Sequence, residues 1–381
     1  MFSKPHLLIV ANNLGHRFSG GDYHILRVVK EWEKRVDVTM LASKLFASSN
    51  YNFTPKKVHV KDPIPYLENS NPYLFMIISM VRAFFLIFSR FDERYDVIIA
   101  PSHFVFYVLP CIFLKLRSKN ALFVVYFHDI LITNNNSMRK LLSTAHNLLG
   151  FFLVRLSADL IFVINGSAEQ RCSKFGIREE KIVKTSSAVD VINPAGDIVD
   201  VEAREFDACF LGRLEKSKGV YDLLSICKLM RCKRPDARLV IIGDGPERER
   251  LKKLSTKMGL ENNFTLPGFV SMERKYGMLK SSSVFVFPSY LESWGTAIAE
   301  AMSCRLPVVA YDLPVYKEVF EDKLITIPLG DVDVMAKQVI FLLENPDVAR
   351  RIGEANREFV KRFNWSDVAE RELSEIIAIH A

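Results

Sequence analysis

Residues 288–302 read Pro288-Ser289-Tyr290-Leu291-Glu292-Ser293-Trp294-Gly295-Thr296-Ala297-Ile298-Ala299-Glu300-Ala301-Met302. The apolar run before them, Val284-Phe285-Val286-Phe287, has the composition of a buried strand, and Pro288, with no N–H to give a sheet, ends it. From about Thr296 to Ser303 the composition is helical, so a loop feeds a helix N-terminus. Such a terminus offers unpaired backbone N–H groups and the positive end of the helix dipole, which suit a phosphate. Gly295, without a Cβ, lets that phosphate come close to the chain. Glu292 in the loop and Glu300 one to two turns into the helix are placed to hold two different hydroxyl groups of one ligand. A simple strand-to-helix turn with a solvated Glu at each end would show the same local pattern, so the surrounding chain has to decide.

A length of 381 residues predicts two domains, and 49% apolar with 25% charged residues is an ordinary globular composition. The six cysteines, Cys111, Cys172, Cys209, Cys227, Cys232 and Cys304, show no paired metal spacing and read as reduced, buried thiols of a cytoplasmic protein. Met1-Phe2-Ser3-Lys4-Pro5 leads into a short strand rather than a signal sequence. Charge is uneven: residues 1–190 hold 24 Lys and Arg against 15 Asp and Glu, the remainder 27 against 29. A basic first half rich in Phe and Leu suits an anionic membrane surface better than nucleic acid, for which no motif is present. Pro72 to Ser89 only just reaches spanning length and carries Arg82 near its centre, which favours a buried helix. From Met138 to Leu156 the apolar residues repeat at helical spacing, and Phe151 and Val154 widen the stripe beyond one face. Core packing accounts for the stripe, and contact with a membrane surface is the competing reading.

Strand and helix patterns alternate along both halves. His6 to Ala11 is a first strand, followed by a loop with Gly20-Gly21 just before a helix. Asp96 to Ala100 ends at His103 and Leu122 to Phe127 at His128-Asp129, so both histidines fall at strand C-terminal ends, where open parallel sheets place their ligands. Ser186 to Asp207, with Pro194, Gly196 and several acids, has no period and reads as the linker. Beyond it Phe210-Leu211-Gly212-Arg213-Leu214-Glu215-Lys216-Ser217-Lys218-Gly219 is a strand and a cationic loop. Arg213 gives a planar fork of donors and Lys218 a mobile point charge, a pair suited to two phosphates. The turns Gly243-Asp244-Gly245-Pro246 and Pro267-Gly268-Phe269-Val270 and the strand Pro307 to Ala310 follow the same rhythm. A C-terminal helix opens near Trp365, with Ser366 as its expected cap.

The run from Phe210 to Gly219, the turns at 243–246 and 267–270, and above all Pro288 to Met302 followed by Pro307 to Ala310, four motifs in this order, resemble the C-terminal half of glycosyltransferase family 4, and the first half is similar more loosely through Gly20-Gly21, His128-Asp129 and the Lys181 to Asp190 segment. The resemblance implies an α/β protein of the GT-B fold, two Rossmann-like doubly wound domains facing across a cleft. The boundaries expected are 1–190 for an acceptor-side domain, 191–363 for a nucleotide-sugar donor domain, and 364–381 for a helix that can pack back on the first. It implies a retaining hexosyltransferase in which Arg213 and Lys218 neutralise the donor diphosphate, Glu292 holds hydroxyls of the transferred sugar, and His128 reaches that sugar near the reacting carbon. The donor-binding set it implies is Gly20, Gly21, Gly243, Phe269, Val270, Ser293, Gly295, Thr296, Ala297, Ile298 and Glu300, the last on the ribose hydroxyls. His103 and Asp129 belong to the acceptor side. The chain departs from the family pattern at Ser293-Trp294, where Gly-Phe is common, which touches the donor-sugar fit. It departs again at Arg305, where Gly is common, and at Ser187-Ala188, where Asn-Gly is common, both matters of packing and hinge.

Departure of a nucleoside diphosphate builds negative charge on the leaving phosphate, so cations and helix amides fixed there stabilise the transition state more than the ground state. No Asp-x-Asp pair suited to a divalent ion accompanies them, so no metal and no cofactor are expected, and the nucleotide sugar is itself a substrate. The expected partners are that donor and a glycan or lipid-linked acceptor, with peripheral contact to an anionic membrane at the inner face of the cell membrane. Two other readings share the motifs: a nucleotide-sugar epimerase, and an inactive regulatory subunit that only binds nucleotide sugar.

Overall fold

The computed structural model describes residues 4–11, 20–43, 56–60, 72–88, 93–118, 120–127, 138–190 and 204–380. The chain divides into two units, residues 1–187 with 365–381, and residues 188–364. Of the expected linker, the middle part at 191–203 lies outside the described residues.

The first unit holds a seven-stranded parallel sheet in the order β3-β2-β1-β4-β5-β6-β7. Its strands are β1 (His6–Ala11), β2 (Asp37–Ala42), β3 (Lys57–Val60), β4 (Val97–Ala100), β5 (Leu122–Phe127), β6 (Leu160–Val163) and β7 (Ile182–Lys184). The central strands are continuous apolar runs because helices cover both faces and leave no solvated side. α1 (Gly20–Trp32) is the crossover from β1 to β2. After β3 the order reverses, and α2 (Pro72–Ile87), α3 (Val105–Arg117) and α4 (Met138–Ser157) precede β4, β5 and β6. Right-handed crossovers therefore put α2, α3 and α4 together on the face opposite α1. Ala83, Leu86, Phe106, Val108, Cys111, Phe151 and Val154 from these helices share one buried cluster with Leu8, Val10, Ile98, Phe123, Val125 and Ile161 of the sheet. α5 (Gly166–Lys174) leads to β7, and its N-terminus is capped by the Asn165 side chain, which accepts from the Ala168 N–H.

Arg82 is fully buried within α2, in keeping with a packed helix, and among the described residues no helix is long and apolar enough to cross a membrane.

The second unit has a six-stranded parallel sheet, β10-β9-β8-β11-β12-β13. Its strands are β8 (Phe206–Leu211), β9 (Leu239–Ile242), β10 (Phe264–Gly268), β11 (Ser282–Phe287), β12 (Val308–Tyr311) and β13 (Ile325–Ile327). Between them lie α6 (Val220–Lys233), α7 (Arg248–Lys257), α8 (Met272–Lys280), α9 (Thr296–Ser303) and α10 (Pro314–Phe320), and α11 (Val332–Glu344) and α12 (Pro346–Val360) follow the last strand. β10 is an edge strand whose register slips between Thr265 and Gly268, around Pro267, a residue with no N–H for the ladder.

α13 (Trp365–His380) closes the first unit and begins one residue ahead of the expected Ser366 cap. Trp32 Nε1 donates to the Ala369 carbonyl at 2.8 Å, and the buried Glu372 carboxylate accepts from Tyr126 OH at 2.6 Å and from Thr185 and pairs with His24 at 2.9 Å. Burial and the Glu372 charge push the Tyr126 phenol well above its usual pKa. The cysteines are not all buried: Cys111, Cys172, Cys209 and Cys227 are, but Cys232 is exposed on the outer side of α6 and Cys304 is half-buried. α3 and α8 have no counterpart in the sequence reading. α3 is apolar nearly all round, like a strand, and carries Pro110 in its interior, which masks the helical period.

Candidate functional site

The order of the second sheet reverses between β8 and β11, the neighbouring central strands from which the chain departs in opposite directions. At such a switch point the loops leaving the strand C-termini separate and open a crevice suited to a ligand. The loops that border it are 212–219 after β8, which carries the cations, and 288–295 after β11, which carries Glu292 and ends in Gly295.

Side chains and backbone lock these loops to each other. Tyr290 N–H donates to the Ser217 carbonyl at 2.8 Å, and Ser289 Oγ donates to the same oxygen at 3.3 Å. Gly219 has φ +64°, and a Cβ there would lie 1.8 Å from the Pro288 carbonyl oxygen, so only glycine permits the approach. Lys218, at the end of a short 3-10 turn (Lys216–Lys218), reaches across to Glu292 Oε1 at 2.6 Å and to the Leu291 carbonyl at 3.3 Å. The Lys218 and Glu292 side chains are only 18% and 10% exposed, so each is the main compensation for the other's desolvation. Next to β8 the turn after β9 is equally tight: a Cβ on Gly243 would meet the Gly212 carbonyl oxygen at 2.0 Å, and one on Gly245 the Leu214 carbonyl oxygen at 2.4 Å.

Gly295, at φ +100°, is the residue before α9, and no side chain caps that N-terminus. Thr296, Ala297 and Ile298 form its first turn, so their N–H groups stand at the positive end of the helix. Glu300 follows on the next turn and is buried, where Lys275 Nζ from the first turn of α8 donates to its Oε1 at 2.7 Å. The same ammonium lies 4.6 Å from the centre of the Tyr276 ring, a cation–π contact. Each of the two glutamates thus has its own lysine, brought from a different element.

Arg213 is held less firmly. Its side chain is 63% exposed, with Nε 3.7 Å from Glu215, free to turn toward an anion at modest cost. Phe269 is 85% exposed and follows Gly268, φ +81°, at the end of β10. A bare aromatic ring on a loop tip is a platform on which a planar group can stack.

Trp294 does not face the crevice. It is buried against Phe320 and Phe363, with ring centres 5.5 and 5.0 Å away, so the departure at this position is one of core packing rather than of sugar contact. Arg305 has φ +61°, which explains why glycine suits the position, and its Nε lies 3.3 Å from Glu354.

In the first unit, Gly20 and Gly21 form the first turn of α1. His128 and Asp129 lie outside the described residues. His103 follows β4 but is enclosed: it is 2% exposed, packs against Phe104, Phe127 and Phe151, and its Nε2 lies 3.3 Å from Asn147 Oδ1. Its place is one of packing between β4 and α4 rather than of contact with an acceptor.

Three features had no signal in the sequence. Lys275 is one of several cations around α8 and is singled out only by its contact with Glu300. Asp222, on the first turn of α6, accepts from Tyr290 OH at 2.7 Å and Tyr311 OH at 2.8 Å and so ties the 288–295 loop to the helix after β8. Tyr316 of α10 is buried; desolvation, and after it the Glu292 charge, push its phenol well above the usual pKa, which places it in the electrostatic field of the site. Its hydroxyl has no hydrogen-bond partner among the described residues.

The arrangement can receive a diphosphate on helix amides and a lysine, hold hydroxyl groups on two carboxylates, and stack a base on an exposed ring. Comparison with known proteins agrees with the class this defines. Anabaena Alr3699/HepE, solved in complex with UDP and glucose, superposes on 98% of this chain and 99% of its own with a TM-score of 0.73 at 18% identity, and the fold is GT-B. Residues 198–359, most of the second unit, match the family described as glycosyl transferases group 1. Among curated relatives, alpha-D-kanosaminyltransferase of Streptomyces kanamyceticus is 36% identical over 38% of this chain and 38% of its own. Phosphatidyl-myo-inositol mannosyltransferase of Mycobacterium leprae is 32% identical over 48% and 49%. The matched region thus spans less than half of these relatives' length.

Proposed function

We propose that the chain is a retaining glycosyltransferase that moves a hexosyl group from a nucleoside-diphosphate sugar to a hydroxyl of a lipid-linked or membrane-surface glycan. The observation that carries the reading is the switch-point crevice itself, where Lys218 is delivered against Glu292 beside the uncapped N-terminus of α9. In this reading Lys218 and Arg213 and the amides of 296–298 take up the charge that grows on the departing diphosphate, a contribution that is larger in the transition state than in the bound donor. Glu292 holds hydroxyls of the transferred sugar and Glu300 the ribose, with Phe269 and Val270 bordering the base. The acceptor hydroxyl attacks from the face the diphosphate leaves, and the diphosphate oxygen takes its proton, which gives retention without a covalent enzyme intermediate. His128 is assigned to the transferred sugar by the resemblance of its motif alone. The reading assigns no metal ion. A lipid acceptor is supported by the basic first half and by the name of the phosphatidyl-myo-inositol mannosyltransferase among the relatives.

The test is kinetic. Arg213→Ala and Lys218→Ala should each lower turnover by roughly 100-fold, the scale of removing one transition-state donor; near-normal rates in both remove the diphosphate assignment. Incubation with a nucleotide sugar but no acceptor should leave the sugar unchanged, whereas isomerisation would make the protein an epimerase.

A further inference from the structure

The helices α2, α3 and α4 form one layer on one face of the first sheet, and their inward sides are accounted for by the core. Their outward sides are not polar. Ile77, Phe84, Phe85 and Phe88 stand exposed at a spacing of one helix face on α2 and the turn that ends it, and Phe113 and Leu116 do so on α3. On α4, Leu148, Leu149, Phe152 and Leu156 do the same, while Phe151 and Val154 on the other side are buried. The most exposed of these are Phe88 at 63%, Leu116 at 74% and Leu156 at 66%. A single exposed leucine is ordinary, but a contiguous set across three neighbouring helices is a surface with a partner.

The charges indicate which partner. None of the three helices contains an Asp or Glu, and of their six Lys and Arg, Arg82 is buried and Lys115 pairs with Asp159, while Arg117 and Arg155 are exposed. The three helices connect parallel strands and so run in the same direction, which brings their C-terminal ends to one edge of the layer. Phe84, Phe85, Phe88, Leu116, Phe152 and Leu156 gather there, together with the exposed Arg117 and Arg155. The imbalance extends to the whole unit, with 25 Lys and Arg against 18 Asp and Glu, while the second unit holds 26 of each. A second copy of this chain would bring two surfaces of the same net positive charge against each other. A protein partner with many acids would answer the charge but not the unbroken aromatic and leucine surface. An anionic bilayer answers both, with its headgroups to the arginines and its acyl boundary to the phenylalanines.

We infer that the outer face of α2, α3 and α4 docks the protein on an anionic lipid surface. This rests on the reading of a membrane-borne acceptor, and it adds the surface that meets the membrane, including α3, which no sequence pattern marked. Docking through this face leaves the C-terminal ends of the strands of the first sheet open, where an acceptor enters an α/β unit.

The experiment is cosedimentation of the full chain with vesicles of phosphatidylglycerol and phosphatidylcholine, and with vesicles of phosphatidylcholine alone, at low and high salt. Wild-type protein should partition to the anionic vesicles at low salt and much less to the neutral ones. Replacing Phe84, Phe88, Leu116 and Leu156 together by Ser removes four exposed side chains that support no core, and should lower partitioning by roughly 100-fold. Arg117→Gln with Arg155→Gln should lower binding to anionic vesicles by about 10-fold or more and leave the neutral ones unaffected. Both variants should keep the wild-type melting temperature and the wild-type thermal shift with uridine or guanosine diphosphate. Absence of vesicle binding by the wild type, or equal binding by the fourfold variant, overturns the inference. So does self-association in sedimentation velocity that the fourfold variant abolishes without vesicle binding, since the face would then belong to a second copy. If vesicles fail while a nucleoside diphosphate still stabilises the chain, only the docking surface is lost. If vesicles bind and no nucleoside diphosphate does, it is the transferase reading that fails.

Discussion

Lys218 is asked to do two things, and they can be separated. It neutralises Glu292 across the two loops at 2.6 Å, and in the proposed function it also meets the donor diphosphate. In Lys218→Met the Glu292 carboxylate, only 10% exposed, loses its cation. Breaking a fully buried pair costs about 3–5 kcal/mol and an exposed pair contributes about 0–1, so a largely buried but not sealed pair should cost about 2 kcal/mol. For a unit of this size that lowers the melting temperature by about 4–8 °C. Adding Glu292→Gln removes the stranded charge, so the double variant should regain most of the lost stability. Affinity for a free nucleoside diphosphate should behave differently. Loss of one charge-assisted contact weakens it by about 10- to 100-fold, and because Glu292 is assigned to the transferred sugar, which the free diphosphate lacks, the second substitution should not restore it. Thermal unfolding and titration calorimetry with uridine and guanosine diphosphates on the wild type, both single variants and the double variant complete the cycle. Recovery of affinity together with stability would show that Lys218 is only a clamp for Glu292 and would refute the reasoning.

Lys275→Met should weaken nucleoside diphosphate binding by unseating Glu300, and Glu300→Gln should weaken it too, but the two together should be less than additive because they act on one contact; additivity in calorimetry would place Lys275 outside the site. Trp294→Ala should cost about 3–5 kcal/mol by emptying the space against Phe320 and Phe363, read as a fall in the unfolding midpoint in denaturant, and a cost near zero would return the residue to the crevice. Arg305→Gly relieves a non-glycine residue at φ +61°, worth about 1–2 kcal/mol, against the added chain entropy of glycine and the loss of a partly exposed ion pair; a melting temperature equal to or above wild type is expected. Turnover should persist in EDTA at full rate, and a loss that magnesium restores would assign a metal to the reaction.

Much of the fold was legible because its signals are local. Continuous apolar runs such as Leu122–Phe127 and Val284–Phe287, punctuated by proline and glycine, mark buried parallel strands without knowledge of their neighbours. The loops at 212–219 and 288–295 were recognisable for the same reason, since the glycines and cations of the first and the run from Pro288 through Glu292 to Gly295 of the second are each consecutive in the chain. α3 and α8 were not, because an apolar or weakly patterned stretch of about ten residues carries too little period to separate helix from strand.

What the sequence determined by itself is therefore the alternation of elements and the chemistry at the ends of β8 and β11. Tertiary structure alone decided which groups meet: Lys218 with Glu292, Lys275 with Glu300, and Glu372 with His24 and Tyr126. These partners are separated by 25 to 348 positions, and a charge in a sequence does not specify its partner until the sheet order has fixed which loops are adjacent. The same is true of the apolar face on α2, α3 and α4. Read alone, α2 and α4 are core elements with surplus hydrophobicity and α3 is not marked as a helix, and only their side-by-side packing leaves the surplus pointing outward as one surface.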